Sequence, residues 1–269
     1  MTDAQSDLDL ALRLAERADA VTTAAFGRAD LLVETKADRT PVTEADRDVE
    51  AEIRRALAEE RPGDRVVGEE FGEDSEAGES RRRWIIDPID GTKNFVRRIP
   101  VWATLLALEV DGHMSLGVVS APALGRRWWA ARGHGAWAGP TGSGDRPSDA
   151  SRIEVSKVAD LSDAHLSGTT LSDWDDWGGP GSYLDLALRC YADRSFGDFW
   201  SHMLVAEGVC DIGLDPIVSL WDLAALQVIV EEAGGRFTDF TGVARPDGGS
   251  AISSNGLLHD LALHVLTGR

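Results

Sequence analysis

The chain has 269 residues, 43% of them hydrophobic and 27% charged, enough for one large core or two small ones and unlike disordered, collagen-like or membrane-spanning sequences. Its formal charge of −19 opposes a long footprint on nucleic acid or anionic lipid, because such binding rests on clustered Lys and Arg and the basic clusters at Arg81 to Arg83 and Arg126–Arg127 are short. Cys190 and Cys210 lack metal-ligand spacing and read as reduced thiols, no apolar run is long enough to span a membrane, and the N-terminus does not resemble a signal peptide, so a cytoplasmic protein is expected.

In chain order, apolar side chains recur at helical spacing from about Leu8 to Phe26 and again in PVTEADRDVEAEIRRALAEE, Pro41 to Glu60. In the second stretch Thr43, with Asp46 three residues on, reads as an N-terminal capping arrangement that sets Glu44 and Asp46 at the helix entrance. DRVVGEEFG predicts a short strand ending in Glu69 and Glu70, and RWIIDPIDG a second ending in Asp87 and Asp90, followed by a helix from Lys93. Val101 to Trp137 alternates strand-like runs with turn signals at Asp111–Gly112 and Gly133 to Gly135, the pattern of an antiparallel meander. The loop GPTGSGDRPSDAS divides the chain near residue 150. Beyond it come strand-like AHLSGTT, helices at Tyr183 to Tyr191 and Asp198 to Glu207, and strand-like VCDIGLD. A helix from Leu220 to Ala233, strands in GRFTDF and GGSAISS, and a last helix from Leu257 to Leu266 complete the chain. SDWDDWGGPGSY, Ser172 to Tyr183, reads either as a plain connection or as a loop that approaches substrate or a neighbouring subunit. Helices and strands mixed in both halves predict stacked α/β layers.

The chemistry concentrates at Asp87 and Asp90. Pro88 fixes one torsion and removes a donor, so the chain leaves the strand in a defined turn that lets both carboxylates face one point. Two carboxylates about 4 Å apart repel by roughly 4 kcal/mol at an effective dielectric of about 20, so a buried strand tip needs a proton or a cation there. An isolated Asp-Pro-x-Asp is otherwise a solvated turn. Gly91 and Thr92 follow at once, with backbone N–H groups that the next helix could aim at an anion. Carboxylates beside phosphate donors imply a bridging divalent cation, and an all-oxygen set favours Mg2+ over Zn2+. The six histidines form no metal spacing and read as surface or packed residues.

GEE at Gly68 to Glu70, WIIDPIDGTKNF at Trp84 to Phe95 and WDLAALQVIVEEAGG at Trp221 to Gly235 resemble, in order and spacing, the three signatures of the inositol monophosphatase superfamily. The likeness covers nearly the whole chain and closes with GGSAISSN. It implies an α/β fold, a layered αβαβα sandwich, as one domain over 1–269 with a metal-binding half at about 1–150 and a substrate half at 151–269, commonly as a homodimer. It further implies metal ligation by Glu69, Asp87, Asp90, Asp222 and the backbone carbonyl of Ile89, phosphate binding by Gly91 and Thr92, and two or three Mg2+ ions. For Asp222 the plainer alternative is an acid favoured by a helix start. The reaction implied is in-line attack on a phosphate monoester by a water that the metal activates, oriented by Glu69 and by the Thr92 hydroxyl, which is bonded to Asp46. Lys36 and Asp38 fall in the loop where a further metal can bind.

The substrate half departs from the inositol phosphatase pattern. Where those enzymes usually carry Gly-Ser and small residues, this chain reads RSFGDFWSHMLVAEGVCDIGLDP, with Asp198, Phe199 and Trp200. An acid and two aromatics suit a substrate with an amine and a flat ring. The stretch resembles the histidinol-phosphate phosphatases of the superfamily, which makes Asp198 and Asp215 substrate contacts, Asp215 near the amine. The alternative is that Asp198 caps a helix and the aromatics are core. The expected activity is Mg2+-dependent hydrolysis of L-histidinol phosphate. An inositol monophosphatase or related cyclitol or sugar phosphatase is the runner-up, and a regulatory binding protein on the same fold is a reading of another class, against which the intact acid set argues. Neither nucleic acid nor a membrane is an expected partner.

Overall fold

The computed structural model describes residues 3–36, 41–73, 80–142 and 149–268. Helix α1 (Asp3–Ala25) is followed by strands β1 (Val33–Thr35) and β2 (Pro41–Thr43), which pair antiparallel, and by α2 (Glu44–Glu60). The helix expected from Pro41 therefore starts three residues later, where the cap acts: the Thr43 N–H and hydroxyl both donate to Asp46 Oδ2, at 2.8 and 2.6 Å.

Among the described residues, eight strands make the large sheet. They are β3 (Arg65–Gly68), β4 (Gly72–Glu73), β5 (Arg82–Asp90) and, after the short helix α3 (Thr92–Arg97), β6 (Ala103–Val110), β7 (His113–Ala121), β8 (Arg126–Ala131), β9 (Ala136–Pro140) and β10 (Ser151–Ile153). Their spatial order is β10-β9-β8-β7-β6-β5-β3-β4, with β3 and β5 parallel and the other neighbours antiparallel. The expected meander is β6 to β9, and its first turn is tight because Asp111 and Gly112 both take positive φ, 53° and 79°.

The small sheet holds β11 (His165–Ser167), β12 (Ala192–Arg194), β13 (Ile212–Asp215), β14 (Arg236–Thr238) and β15 (Ala251–Ser254), in the order β12-β11-β13-β15-β14. Interleaved along the chain are α4 (Leu171–Trp177), α5 (Gly181–Arg189), α6 (Asp198–Ala206), α7 (Leu220–Glu232) and α8 (His259–Thr267). Helix α4 begins one residue before the stretch read as a Trp-bearing loop and takes up its first half. Trp174 is fully buried there, stacked on Tyr183 and Phe240 at 4.9 and 5.8 Å, so it is core.

Period-two alternation in the large sheet sorts side chains between two apolar faces, as in a sheet covered on both sides. Trp84, Ile86, Leu106 and Leu108 meet α1 and α2, while Ile85, Leu105, Ala107 and Val119 meet α6 and α7. Those two helices share their core with the small sheet through Phe237 and Ala251, and α4, α5 and α8 close its far side through Trp174, Leu186 and Leu266. The result is the expected αβαβα layering. Helix α7 lies in the central layer, and its run from Leu223 to Val230 is accordingly buried on every side. Strand β10 still belongs to the large sheet, so the chain changes sheet after Ile153.

Gly117 of β7 permits the central packing: a Cβ there would lie 2.4 Å from the backbone oxygen of Ala225 in α7. Gly117→Ala is expected to destabilise by about 1–3 kcal/mol in urea unfolding. Gly63→Ala, where a Cβ meets nothing within 4 Å, should stay within about 0.5 kcal/mol. Equal effects at both positions would contradict the close-approach account.

Candidate active site

The large sheet delivers acids at the end where β3 and β5 run parallel. Gly68 stands opposite Ile86, so Glu69 emerges beside Asp87, and its N–H donates to the Ile86 carbonyl at 3.2 Å. On the other flank β5 pairs with β6 through Asp87 opposite Leu105 and Asp90 opposite Ala103, a bulge that gives β5 one extra residue. In a regular strand Asp87 and Asp90 would point to opposite faces; the bulge at Pro88–Ile89 resets the alternation and turns both the same way. Pro88 costs no donor there, and its carbonyl accepts from the Thr104 hydroxyl at 2.8 Å.

Asp222 arrives from the first turn of α7, where Ser219 N–H donates to its Oδ2 at 2.7 Å. It is thus both a helix-capping acid and a site acid. Asp87, Asp90 and Asp222 bring carboxylate oxygens within 4.8 Å of one another. Burial first, then repulsion from neighbouring carboxylates, pushes Asp87 and Asp90 well above the usual range, and burial pushes Asp222 up to about 7. Asp87 Oδ1 is buried without a hydrogen-bond partner. An orphaned carboxylate oxygen inside an all-oxygen acidic cluster fits a hard divalent cation.

Glu69 stands beside this trio rather than within it. Lys36 Nζ donates to Glu69 at 2.7 Å and to Glu70 at 2.5 Å, and these pairs raise the ammonium pKa against the opposing effect of burial. Burial still raises Glu69 above its ordinary value. Lys36 is therefore a counter-ion of the two glutamates, and Asp38 lies outside the described residues. Ile89 is fully buried, and its carbonyl accepts the Thr92 hydroxyl at 3.0 Å, nearer than Asp46 Oδ1 at 3.4 Å. The Thr92–Asp46 contact expected from sequence is thus the longer of two options for one proton. Burial lifts Asp46 to about 6.

Glu50 escapes the sequence reading. It is fully buried on α2, accepts the N–H groups of Glu70 and Phe71 at 2.7 and 3.2 Å, and pairs with Arg54 at 2.8 Å. It thereby pins the strand tip that carries Glu69. Gly68 makes room for it, since a Cβ would fall 2.0 Å from Glu50 Oε1. The signal was present: Asp46 and Glu50 both lie on the buried stripe of α2 with Val49, Ile53 and Leu57.

Beyond the trio, α6 begins with Asp198 at φ 49°, a left-handed conformation uncommon for a residue with a Cβ. Its carboxylate does not cap the helix; Asp198 Oδ2 accepts from Asn94 Nδ2 at 3.0 Å. The next N–H, of Phe199, donates to Asp90 Oδ2 at 2.6 Å. Burial and then the charge of Asp215 push Asp198 up to about 7. Phe199 corrects the aromatic expectation, because its ring is fully buried against Trp128, 6.0 Å away, and is core. Trp200 is half-buried against Phe196. Asp215, at the end of β13, is buried with Oδ2 2.7 Å from His202 Nε2. Asp173, from the Trp-bearing segment, raises both Asp198 and Asp215 by its charge, so that segment does approach the site. A cavity of about 560 Å³ elsewhere, around Arg83, Arg132 and Arg245, has these arginines paired with Glu109, Glu231 and Asp247.

The raised carboxyls make a linked pH prediction. Asp46, Asp198 and Asp222 rise from 3.8 to between about 6 and 7 on folding, so the metal-free native state holds more protons than the unfolded chain in that interval. Their contribution is full below the unfolded pKa and is lost as pH rises through the folded one. Thermal melts in EDTA should therefore show stability falling between about pH 4 and pH 7, and a divalent cation that the cluster binds should raise the melting temperature more at pH 8 than at pH 6. A cation effect independent of pH would contradict proton–metal competition.

Comparison with known proteins agrees with this architecture. The model of the inositol monophosphatase family matches residues 3–267. A Mycobacterium tuberculosis protein named histidinol-phosphatase is 55% identical, covering 96% of both chains, and one of the same name from Streptomyces coelicolor is 50% identical over 100% of both. Among solved structures, Thermotoga maritima IMPase TM1415 superposes with a TM-score of 0.84 at 31% identity, over 98% of this chain and 97% of that one. A five-layer sandwich, three signature segments and a family match along almost the whole length lead to one conclusion: the chain belongs to the inositol monophosphatase family.

Proposed function

We propose that this chain is a magnesium-dependent phosphomonoesterase that hydrolyses L-histidinol phosphate to L-histidinol and phosphate. The observation that carries this reading is the placement of two further buried carboxylates, Asp198 and Asp215, beside the cluster of Asp87, Asp90 and Asp222. Relatives that match along almost their whole length bear the name histidinol-phosphatase.

Asp87, Asp90, Asp222, Glu69 and the Ile89 carbonyl would hold two or three Mg2+ ions, and the all-oxygen donor set and the orphaned Asp87 Oδ1 support that choice. Bound cations of this kind polarise phosphate oxygens and make a water more acidic. Gly91, at φ 83°, and Thr92 open α3 and would present their N–H groups to the phosphate. Glu69 and the Thr92 hydroxyl orient the attacking water, with Asp46 beside that hydroxyl as a proton acceptor. At the far end, the substrate ammonium would neutralise Asp198 and Asp215. A neutral cyclitol would leave both carboxylates buried and uncompensated, which favours the cationic tail. The reading extends to a cytoplasmic homodimer, which gel filtration and fractionation test; no helix among the described residues is long and apolar enough to cross a membrane.

Phosphate release with Mg2+, measured side by side, should favour histidinol phosphate over inositol 1-phosphate on the order of 100-fold in kcat/KM. The opposite preference would return the chain to the inositol phosphatases, and no turnover of either would favour a binding role. Asp90→Asn should lower kcat by about 1,000-fold or more with the circular dichroism spectrum unchanged; substantial residual turnover would refute its ligand role. Asp198→Ser should cost histidinol phosphate about tenfold more than a neutral ester. Equal losses would remove Asp198 from selection.

A further inference from the structure

His202 is a fully buried histidine with both ring nitrogens engaged. Nε2 lies 2.7 Å from Asp215 Oδ2, and Nδ1 lies 2.8 Å from Ser253 Oγ. Three elements meet there: α6, the end of β13, and β15. Strand β13 gives up a side chain for the contact, since a Cβ on Gly213 would fall 2.6 Å from Ser253 Oγ and 3.3 Å from His202 Nδ1. A carboxylate can only accept, so the ring meets ionised Asp215 through an Nε2–H donor, with Ser253 serving the other nitrogen.

Beyond these partners, much of α6 is apolar. Phe199, Met203, Val205 and Ala206 of the same helix are fully buried, and the Phe237 ring sits 5.7 Å away. Leucine or phenylalanine would fill such a position without any polar atom to satisfy, so the imidazole there requires the partners it has. Its place on the helix matters as much. Asp198 opens α6 and His202 follows four residues on, and the face of the helix that carries His202 turns toward Asp215. A residue that grips Asp215 from that face sets Asp215 alongside Asp198, and the charge of Asp215 does act on Asp198. With Asp198 Oδ2 held by Asn94 and Asp215 Oδ2 by His202, each carboxylate keeps Oδ1 for a ligand.

We propose that His202 is a positioning residue for substrate selection: it holds Asp215 in one orientation, so that Asp198 and Asp215 together receive the ammonium of a phosphate ester with a cationic tail. This deepens the function proposed above and rests on the placement of that ammonium at Asp215.

The test compares kcat/KM for histidinol phosphate and for glycerol 2-phosphate, whose tail is neutral, in the full-length protein with Mg2+. Both H202L and D215N should lower the ratio of the two by about tenfold or more, chiefly through the KM of histidinol phosphate. H202Q should recover most of the ratio, because its side-chain amide can still donate to Asp215. A ratio lowered by D215N and untouched by H202L would overturn the role of His202 and leave the amine subsite standing. A ratio untouched by either would overturn both. Nitrogen-15 NMR of the histidine rings in the unmutated protein decides the matter should H202L fail to fold. Histidinol with phosphate should shift the His202 Nε2 signal and glycerol with phosphate should not; an unmoved or equally moved signal would overturn the proposal.

Discussion

Mutual repulsion among buried carboxylates is the constraint around which this structure is arranged. Asp87, Asp90 and Asp222 converge within 4.8 Å, with Glu69 on one side and Asp198 and Asp215 on the other. Ionised together without a cation they would force the site open. The fold answers by holding one oxygen of most of them with a neutral donor: Thr43 for Asp46, Ser219 for Asp222, the Phe199 N–H for Asp90 and Asn94 for Asp198, while the His202 ring holds Asp215. Neutral donors fix geometry while leaving the negative charge to be balanced by something bound, which is how a site is preorganised for cations. Glu69 differs, being held by the charged Lys36.

That arrangement sets demands on the scaffold. The acids come from strand ends and helix starts, so each must arrive on an element whose position is over-determined by packing. Helix α7 is gripped between two sheets, and Gly117 lets it lie against β7. Glu50 and Gly68 lock the tip of β3, and the bulge in β5 turns Asp87 and Asp90 to one side. The raised carboxyl pKa values are the cost of this precision in the metal-free state, since groups that prefer a proton when folded weaken the fold as pH rises.

Much of the site was legible in the amino-acid sequence because the acids sit in short contiguous segments with turn chemistry, and the layered fold because its strands and helices alternate with clear periods. What was not legible depended on direction. Helix α4 is short and flanked by glycine, so its periodicity had no length in which to show. Phe199 follows an acid of the site, yet one helical step turns its ring into the core. Strand β2 was absorbed into the helix that it precedes, because Pro41 suits a helix start as well as a strand edge. Glu50 and His202 announced themselves only as polar residues on apolar stripes, a pattern whose meaning requires knowing what lies opposite.

The link between Asp90 and α6 ties the two ends of the site to each other. The N–H that holds Asp90 belongs to the residue after Asp198, and Asp198 takes a positive φ to aim it. A rotation of Asp198 toward ordinary helical torsions would carry the Phe199 N–H off Asp90. Asp198, proposed to meet the substrate tail, and Asp90, proposed to meet the metal, therefore share one segment of backbone. Whatever stands at position 198 must tolerate the left-handed torsion, which aspartate and asparagine do more readily than branched residues. In the function proposed above, substrate recognition and metal affinity would be coupled by that single peptide unit.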